Sequence, residues 1–260
     1  MLKILKYGCY DLMRSRWTYV YFLFYLLLGL VLLFLNNDLS KAVITLMNVI
    51  IILVPLIGTI FGVMYYYNSR EFTELLLAQP VKRSAIFLGQ YFGVATSLSL
   101  SLVIGLGIPF IFYGIFNSGA IWDFSLLLVT GTFLTFAFTA LAFLIALSNE
   151  NRIKGFGYAI LLWLFMAVIY DGIFLMSLLY FEAYPLDKFS LLATMLNPID
   201  LSRVLILLKL DISALLGYTG AVFQKFFGTS FGLVLSSGIL MLWVVVPILF
   251  IWRIAKRKDF

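Results

Sequence analysis

Histidine is absent and cysteine occurs once, at Cys9. These absences exclude a disulfide framework within one chain, a Cys/His zinc site, an H-E-x-x-H metalloprotease and any histidine-based triad. Charge is scarce as well: Asp, Glu, Lys and Arg make up 12% of the 260 residues, against about 25% in an ordinary soluble domain. No G-x-x-x-x-G-K-[ST] motif occurs, so the chain has no P-loop with which to hydrolyse a nucleotide. There is no Gly/Ser linker, low-complexity tract or internal repeat, and residues 1–260 read as a single membrane domain.

What fills the chain is apolar: 63% of residues are hydrophobic and 18% aromatic. Uncharged runs at 17–35, 42–69, 84–122, 124–149, 155–170 and 226–252 approach or exceed the roughly 20 residues that carry a helix across a bilayer. Strict alternation of the barrel type is missing, and lipid satisfies no backbone hydrogen bonds, so the runs are read as helices. The expected fold is an all-α polytopic membrane protein with six transmembrane helices over approximately 17–35, 42–67, 84–113, 121–147, 155–181 and 229–252. The first run is span-length and "LNNDLSKA" after it offers no small-residue cleavage pattern, so the first helix is expected to be retained.

The net charge of +6 is read by position relative to the spans rather than as a nucleic-acid signal. Lys3, Lys6, Arg14, Arg16, Arg70, Lys82, Arg83, Arg152, Lys154, Arg253, Lys256, Arg257 and Lys258 fall on the side of the N-terminus. Lys41, Lys188, Arg203, Lys209 and Lys225 fall opposite, four of them in one long loop. Both termini are therefore expected in the cytoplasm. Residues 1–16 form an expected amphipathic interfacial helix, with Leu2, Leu5, Cys9 and Leu12 on one face and Lys3, Lys6, Tyr10 and Arg14 on the other. A basic leader that merely orients the first span is the alternative.

The connection 182–228 is the one sizeable loop on the outer side. Within "NPIDLSRVLILLKL", Asn197 can cap a helix, Pro198 suits its first position and Asp200 complements its dipole. A second short helix is expected in "YTGAVFQKFFG", giving two short outer helices before the last span.

The stretch "NSREFTELLLAQPVKRSAIFLGQ" puts charge back between two spans. Asn68 is read as the cap of a helix of about ten residues and Glu71 as its capping-box partner. Phe72, Leu75 and Leu76 share a face, and Pro80 stops the helix. Lys82 and Arg83 serve orientation, but Glu71 and Glu74 do not, because acids contribute little to topology. The segment is either a connector lying on lipid or a docking helix for a cytosolic protein.

Small residues recur every fourth position in the third span, at Gly89, Gly93, Ser97, Ser101 and Gly105, and the second span carries Gly58 and Gly62. Such rows let helix backbones approach closely, either within one chain or between two copies. Pro55, Pro109 and Pro247 lie inside or at the ends of spans and permit kinks. Asp171 is the one acid within a span, open to a hydrogen-bonding or a proton-relay role. Thioethers at Met166, Met176 and Met195 are core filling rather than a metal site.

Together the basic leader ending "DLMRSRW", the helix in "EFTELLLAQPVKRSAIFLGQYFG", the six spans and the short outer helices resemble the ABC-2 type permeases. "LLATMLNPIDLSRVLILL" is similar to the NosY branch of that family, the permeases of NosDFY transporters that mature nitrous oxide reductase. The resemblance covers nearly the whole chain. It implies a non-enzymatic homodimer in a bacterial inner membrane whose own chain carries no cofactor. A NosF-type cytosolic ATPase, holding ATP and Mg, would dock on a coupling helix at 68–80 through Asn68, Glu71, Phe72, Glu74, Leu75, Leu76 and Gln79. A NosD-type periplasmic protein would contact Asn197, Pro198, Asp200 and Arg203. The chain departs from the family pattern at Gln90, where lysine is frequent, and at Phe72 and Thr73, where glycines are. Gliding-motility and antibiotic-export permeases share the plan, and a proton-coupled secondary transporter using Asp171 is the reading outside it.

Overall fold

The computed structural model describes residues 16–36, 38–181, 186–209, 223–226 and 229–257. The expected interfacial helix at 1–16 lies outside the described residues save for Arg16, as does most of the expected outer helix at 218–228. Of the latter, residues 223–226 are helical.

The described chain is helical throughout. In order it runs α1 (Arg16–Leu35), α2 (Leu39–Asn68), α3 (Arg70–Leu77), α4 (Arg83–Phe112), a 3-10 turn (Ile115–Asn117) and α5 (Ile121–Ser148). Then follow α6 (Arg152–Leu164), a π-helical turn (Phe165–Ile169), α7 (Tyr170–Tyr180), α8 (Asp187–Leu196), α9 (Pro198–Lys209) and α10 (Ser230–Arg257). Among the described residues six helices are long and apolar enough to cross a membrane: α1, α2, α4, α5, the continuous rod α6–π–α7, and α10. Their bounds fall within a few residues of the uncharged runs, with a physical reason for each shift. α2 begins early because the Asp38 carboxylate accepts from the Ser40 amide, 2.9 Å, capping the helix. The fifth span begins at Arg152 because Asn151 Oδ1 caps the amides of Ile153 and Lys154. α4 ends where Gly114 turns left-handed at φ 83°.

Lipid tails are as apolar as leucine, so these helices are held by close packing rather than by exclusion from water. The small-residue rows supply it within the chain. A Cβ on Gly62 would come 2.8 Å from that of Ala142, and one on Gly58 would meet the Thr139 hydroxyl at 3.3 Å, so α2 lies flush on α5. A Cβ on Gly105 would stand 2.9 Å from Tyr25 Cβ and 3.1 Å from the Phe22 carbonyl, so α4 lies flush on α1. Gly89, Gly93, Ser97 and Ser101 are buried as well, which spends that row on packing inside one chain rather than on a second copy. Hydroxyls in the bundle bond their own helix: Thr59 to the Pro55 carbonyl, Ser101 to Ser97 and Thr135 to Gly131. Close to Pro55, the Trp163 indole donates to the Ile52 carbonyl, 3.2 Å, tying the fifth span to the second.

At least half of each of α2, α4 and α5 is buried, whereas only 11% of the α6–α7 span is buried in this chain. At the far end α8 and α9 meet at Asn197 with a bend of 116°, which turns the chain back instead of letting it continue across. The hairpin adds a helix that the sequence did not lead one to expect, at Asp187–Leu196, directly ahead of the expected one at 198–209. Leu201, Val204 and Leu205 of α9 pack with Phe223 and with Leu240 of α10 into a small core of their own.

Candidate functional site

Polar side chains gather at two places, one at each end of the bundle. The first is the connection between α2 and α4. α2 does not stop at the expected cap: it runs through Asn68, and the Ser69 amide still bonds back to the Tyr65 carbonyl, 2.9 Å. Ser69 is the junction of α2 and α3, with no side-chain cap. The Asn68–Glu71 capping box is therefore replaced by a nearly continuous helical path, and α3 has 8 residues. Tyr67 ties the end of α2 to the turn between α5 and α6. Its hydroxyl donates to the Asn149 carbonyl, 2.8 Å, in the turn between α5 and α6. That hydroxyl occupies the space a Cβ on Gly155 would need, which is why the residue there is glycine.

α3 turns one short stripe inward. Thr73 is buried, Leu76 and Leu77 are half-buried, and these three lie at i, i+3 and i+4. Thr73 Oγ1 accepts from the Gln90 amide, 2.8 Å, and donates to the Ser69 carbonyl, 2.8 Å. Gln90 is itself 1% exposed, a buried amide at the base of α4. Thr73 and Gln90, 17 residues apart, thus bond α3 to α4. The expected apolar face of Phe72, Leu75 and Leu76 is split as a result. Leu76 leans inward, while Leu75 is 67% and Phe72 39% exposed, flanked by Glu71 and Glu74. Arg70 pairs with Glu74 at 3.1 Å along the exposed side. Such an i, i+4 pair contributes about 0.3–0.5 kcal/mol. Asn68 and Gln79 are exposed at the two ends of the helix.

The second gathering lies where the α8–α9 hairpin meets the fifth span. A π-turn shifts the backbone ladder to i→i+5 and leaves a carbonyl needing a donor. The Asn197 amide supplies one to Met166, 2.7 Å, and also bonds Asp200 Oδ2, 2.9 Å. Its own oxygen accepts from the Ile199 amide, 3.0 Å, capping α9 as its sequence led one to expect, with Pro198 as the first helical residue. Arg203, one turn along α9, donates to Asp171 Oδ2 at 2.7 Å, and its guanidinium lies 3.5 Å from Asp200 Oδ1. The Tyr170 hydroxyl donates to the Ala193 carbonyl of α8, 2.6 Å, and the Trp243 indole of α10 to Met195, 3.4 Å.

This turns the expected outward contact surface inside. Asn197 is 1% and Asp200 7% exposed, so neither side chain offers area to a partner, and Arg203 is engaged with Asp171. The acid within the fifth span therefore has a counter-ion from the hairpin. Among the described residues no three carboxylate or cysteine side chains gather in a metal-binding group. Tyr67 and Asn151 are not among the residues singled out from the sequence. Asn151, standing directly before a long apolar run, was a legible cap signal, and an amide such as Gln90 in an uncharged run calls for a partner.

No family model matches the chain. Over 276 aligned positions it is 23% identical to the Probable ABC transporter permease protein NosY of Stutzerimonas stutzeri, and the alignment covers 95% of each protein. The chain is thus a bundle of six membrane-length helices similar, along nearly its whole length, to an ABC transporter permease.

Proposed function

We propose that this chain is the transmembrane permease subunit of an ATP-driven transporter of the ABC-2 type, and that α3 is the helix through which a separate cytosolic ATPase drives it. The observation that carries this is the outward face of α3: Leu75, 67% exposed, set between Glu71 and Glu74 on a helix fastened to the bundle by the buried Thr73–Gln90 pair. A helix meant only to lie on lipid would present basic residues to the anionic inner leaflet, which repels acids. An apolar side chain ringed by acids suits a basic, grooved protein surface instead.

On the finer level we place the chain in the NosY branch, in a bacterial inner membrane with both termini cytoplasmic. It would take a NosF-type ATPase below and a NosD-type periplasmic protein above, and serve copper-site maturation of nitrous oxide reductase. Full-length similarity to the NosY protein and the "NPIDLSR" hairpin support that assignment. Two copies would form the transporter, with the little-buried α6–α7 span among the faces open to a second copy. The chain itself carries no cofactor in this reading: ATP and Mg belong to the ATPase. The Arg203 partner of Asp171 favours a structural acid over a proton relay.

The test is purification of the tagged chain from its native membrane in mild detergent. A P-loop ATPase at about one copy per permease supports the reading, and a periplasmic protein in the same complex supports the NosY branch. An ATPase without a periplasmic partner moves the chain to the exporter branches. A permease that retains no ATPase, yet carries out pH-gradient-driven uptake abolished by Asp171→Asn, overturns the proposal.

A further inference from the structure

Arg203 stands between two carboxylates that belong to different helices. Asp171 is on the membrane-spanning rod α6–α7, just beyond the π-turn, while Asp200 is on the same helix as Arg203, one turn away. The two contacts are unequal. The guanidinium donates to Asp171 Oδ2 at 2.7 Å, but only approaches Asp200 Oδ1 at 3.5 Å, and that oxygen is buried and accepts no hydrogen bond. Asp200 is kept in place by its other oxygen, through Asn197.

We propose that these residues form an ionic latch with a hand-over: Arg203 closes the hairpin on the fifth span through Asp171 and, when the two separate, transfers to Asp200. This rests on the permease reading, and names the element through which motion of the fifth span reaches the hairpin. Breaking a partly buried ion pair by removing one partner costs several kcal/mol because a charge is left unsatisfied. With Asp200 one turn away the guanidinium keeps a carboxylate in both states, while Asp171, 30% exposed, is left to water. The barrier to opening falls, and the site has two discrete arrangements instead of one, as a switch requires. The π-turn is the natural hinge, since its ladder is already shifted and its Met166 carbonyl is held by the hairpin's Asn197.

A rigid structural pair and a hand-over latch respond differently to removal of each acid. The experiment uses the full chain in lipid nanodiscs without any ATPase, so that its outcome is independent of partner docking. Cys9→Ser removes the native thiol, and spin labels at Met176→Cys and Leu192→Cys, both exposed, report the distance between span and hairpin. Asp171→Asn is expected to raise the ratio of long to short distances about fivefold or more, and Asp200→Asn to lower it by a similar factor. Shifts in the same direction for both, or no shift in either folded variant, overturn the proposal. Should Asp200→Asn not fold, the charge exchange Asp171→Arg with Arg203→Asp keeps the cross-element pair and removes the hand-over. It is expected to abolish the long-distance population, and a wild-type distribution there overturns the latch.

Discussion

The two polar ends of this molecule use acids in opposite ways. On α3, Glu71 and Glu74 point away from the bundle and the helix is anchored by one buried hydroxyl–amide pair. On the α8–α9 hairpin, Asp200 and its neighbour Asn197 point inward, and the hairpin is stitched to the fifth span by an amide, an ion pair and a tyrosine hydroxyl. Buried polar groups stabilise a fold where they find partners, as the Asn197 amide does on Met166 and Asp200, so the inward residues hold structure. Outward ones add little to stability and are available for contact. The difference separates a part that holds the fold from the part proposed above as a docking face.

Substitutions at the two ends should divide accordingly. The largest effect is expected for Asn197→Leu, which strands the Met166 carbonyl and removes the cap of α9. Thermal unfolding in detergent should show a loss of about 3 kcal/mol or more. A melting curve like that of wild type would mean the hairpin is not held through this residue. Next is Thr73→Val, which keeps the shape of the α3 anchor but leaves the buried Gln90 amide without its acceptor. A cost of about 1–2 kcal/mol is expected. The smallest is Glu74→Ala, which removes an exposed i, i+4 pair and should change stability by less than about 0.5 kcal/mol. If Glu74→Ala destabilised as much as Asn197→Leu, the distinction between the two ends would collapse.

The six spans were legible because a run of uncharged residues long enough to cross a bilayer has few other uses, and their bounds shifted only where a local cap such as Asp38 or Asn151 decided. The existence of a short helix after the second span was legible too, from its acids and Pro80. Its start was not. Asn68 and Glu71 fit a capping box on paper, but α2 runs on through Asn68, beside a Tyr67 hydroxyl bonded to a carbonyl 82 residues away that no local pattern foretells. The anchor of α3 is not legible for a related reason: apolar spacing groups Phe72, Leu75 and Leu76 on one face, whereas the buried anchor is polar, Thr73 on Gln90. The hairpin's motif was found and its orientation missed. Asn197 and Asp200 look like surface residues until the π-turn at 165–169 creates a carbonyl that needs a donor, and no local pattern announces that turn. The pairing of Asp171 with Arg203, 32 residues apart, joins two features that the sequence offers separately.

The account stands most directly on the outward face of α3. The decisive measurement is retention of the copurifying ATPase by the double variant Glu71→Lys, Leu75→Asp, expressed beside wild type, with thermal unfolding recorded on the same samples. The account predicts a melting temperature within a few degrees of wild type and a loss of ATPase of about tenfold or more. Undiminished ATPase on a folded double variant would contradict it.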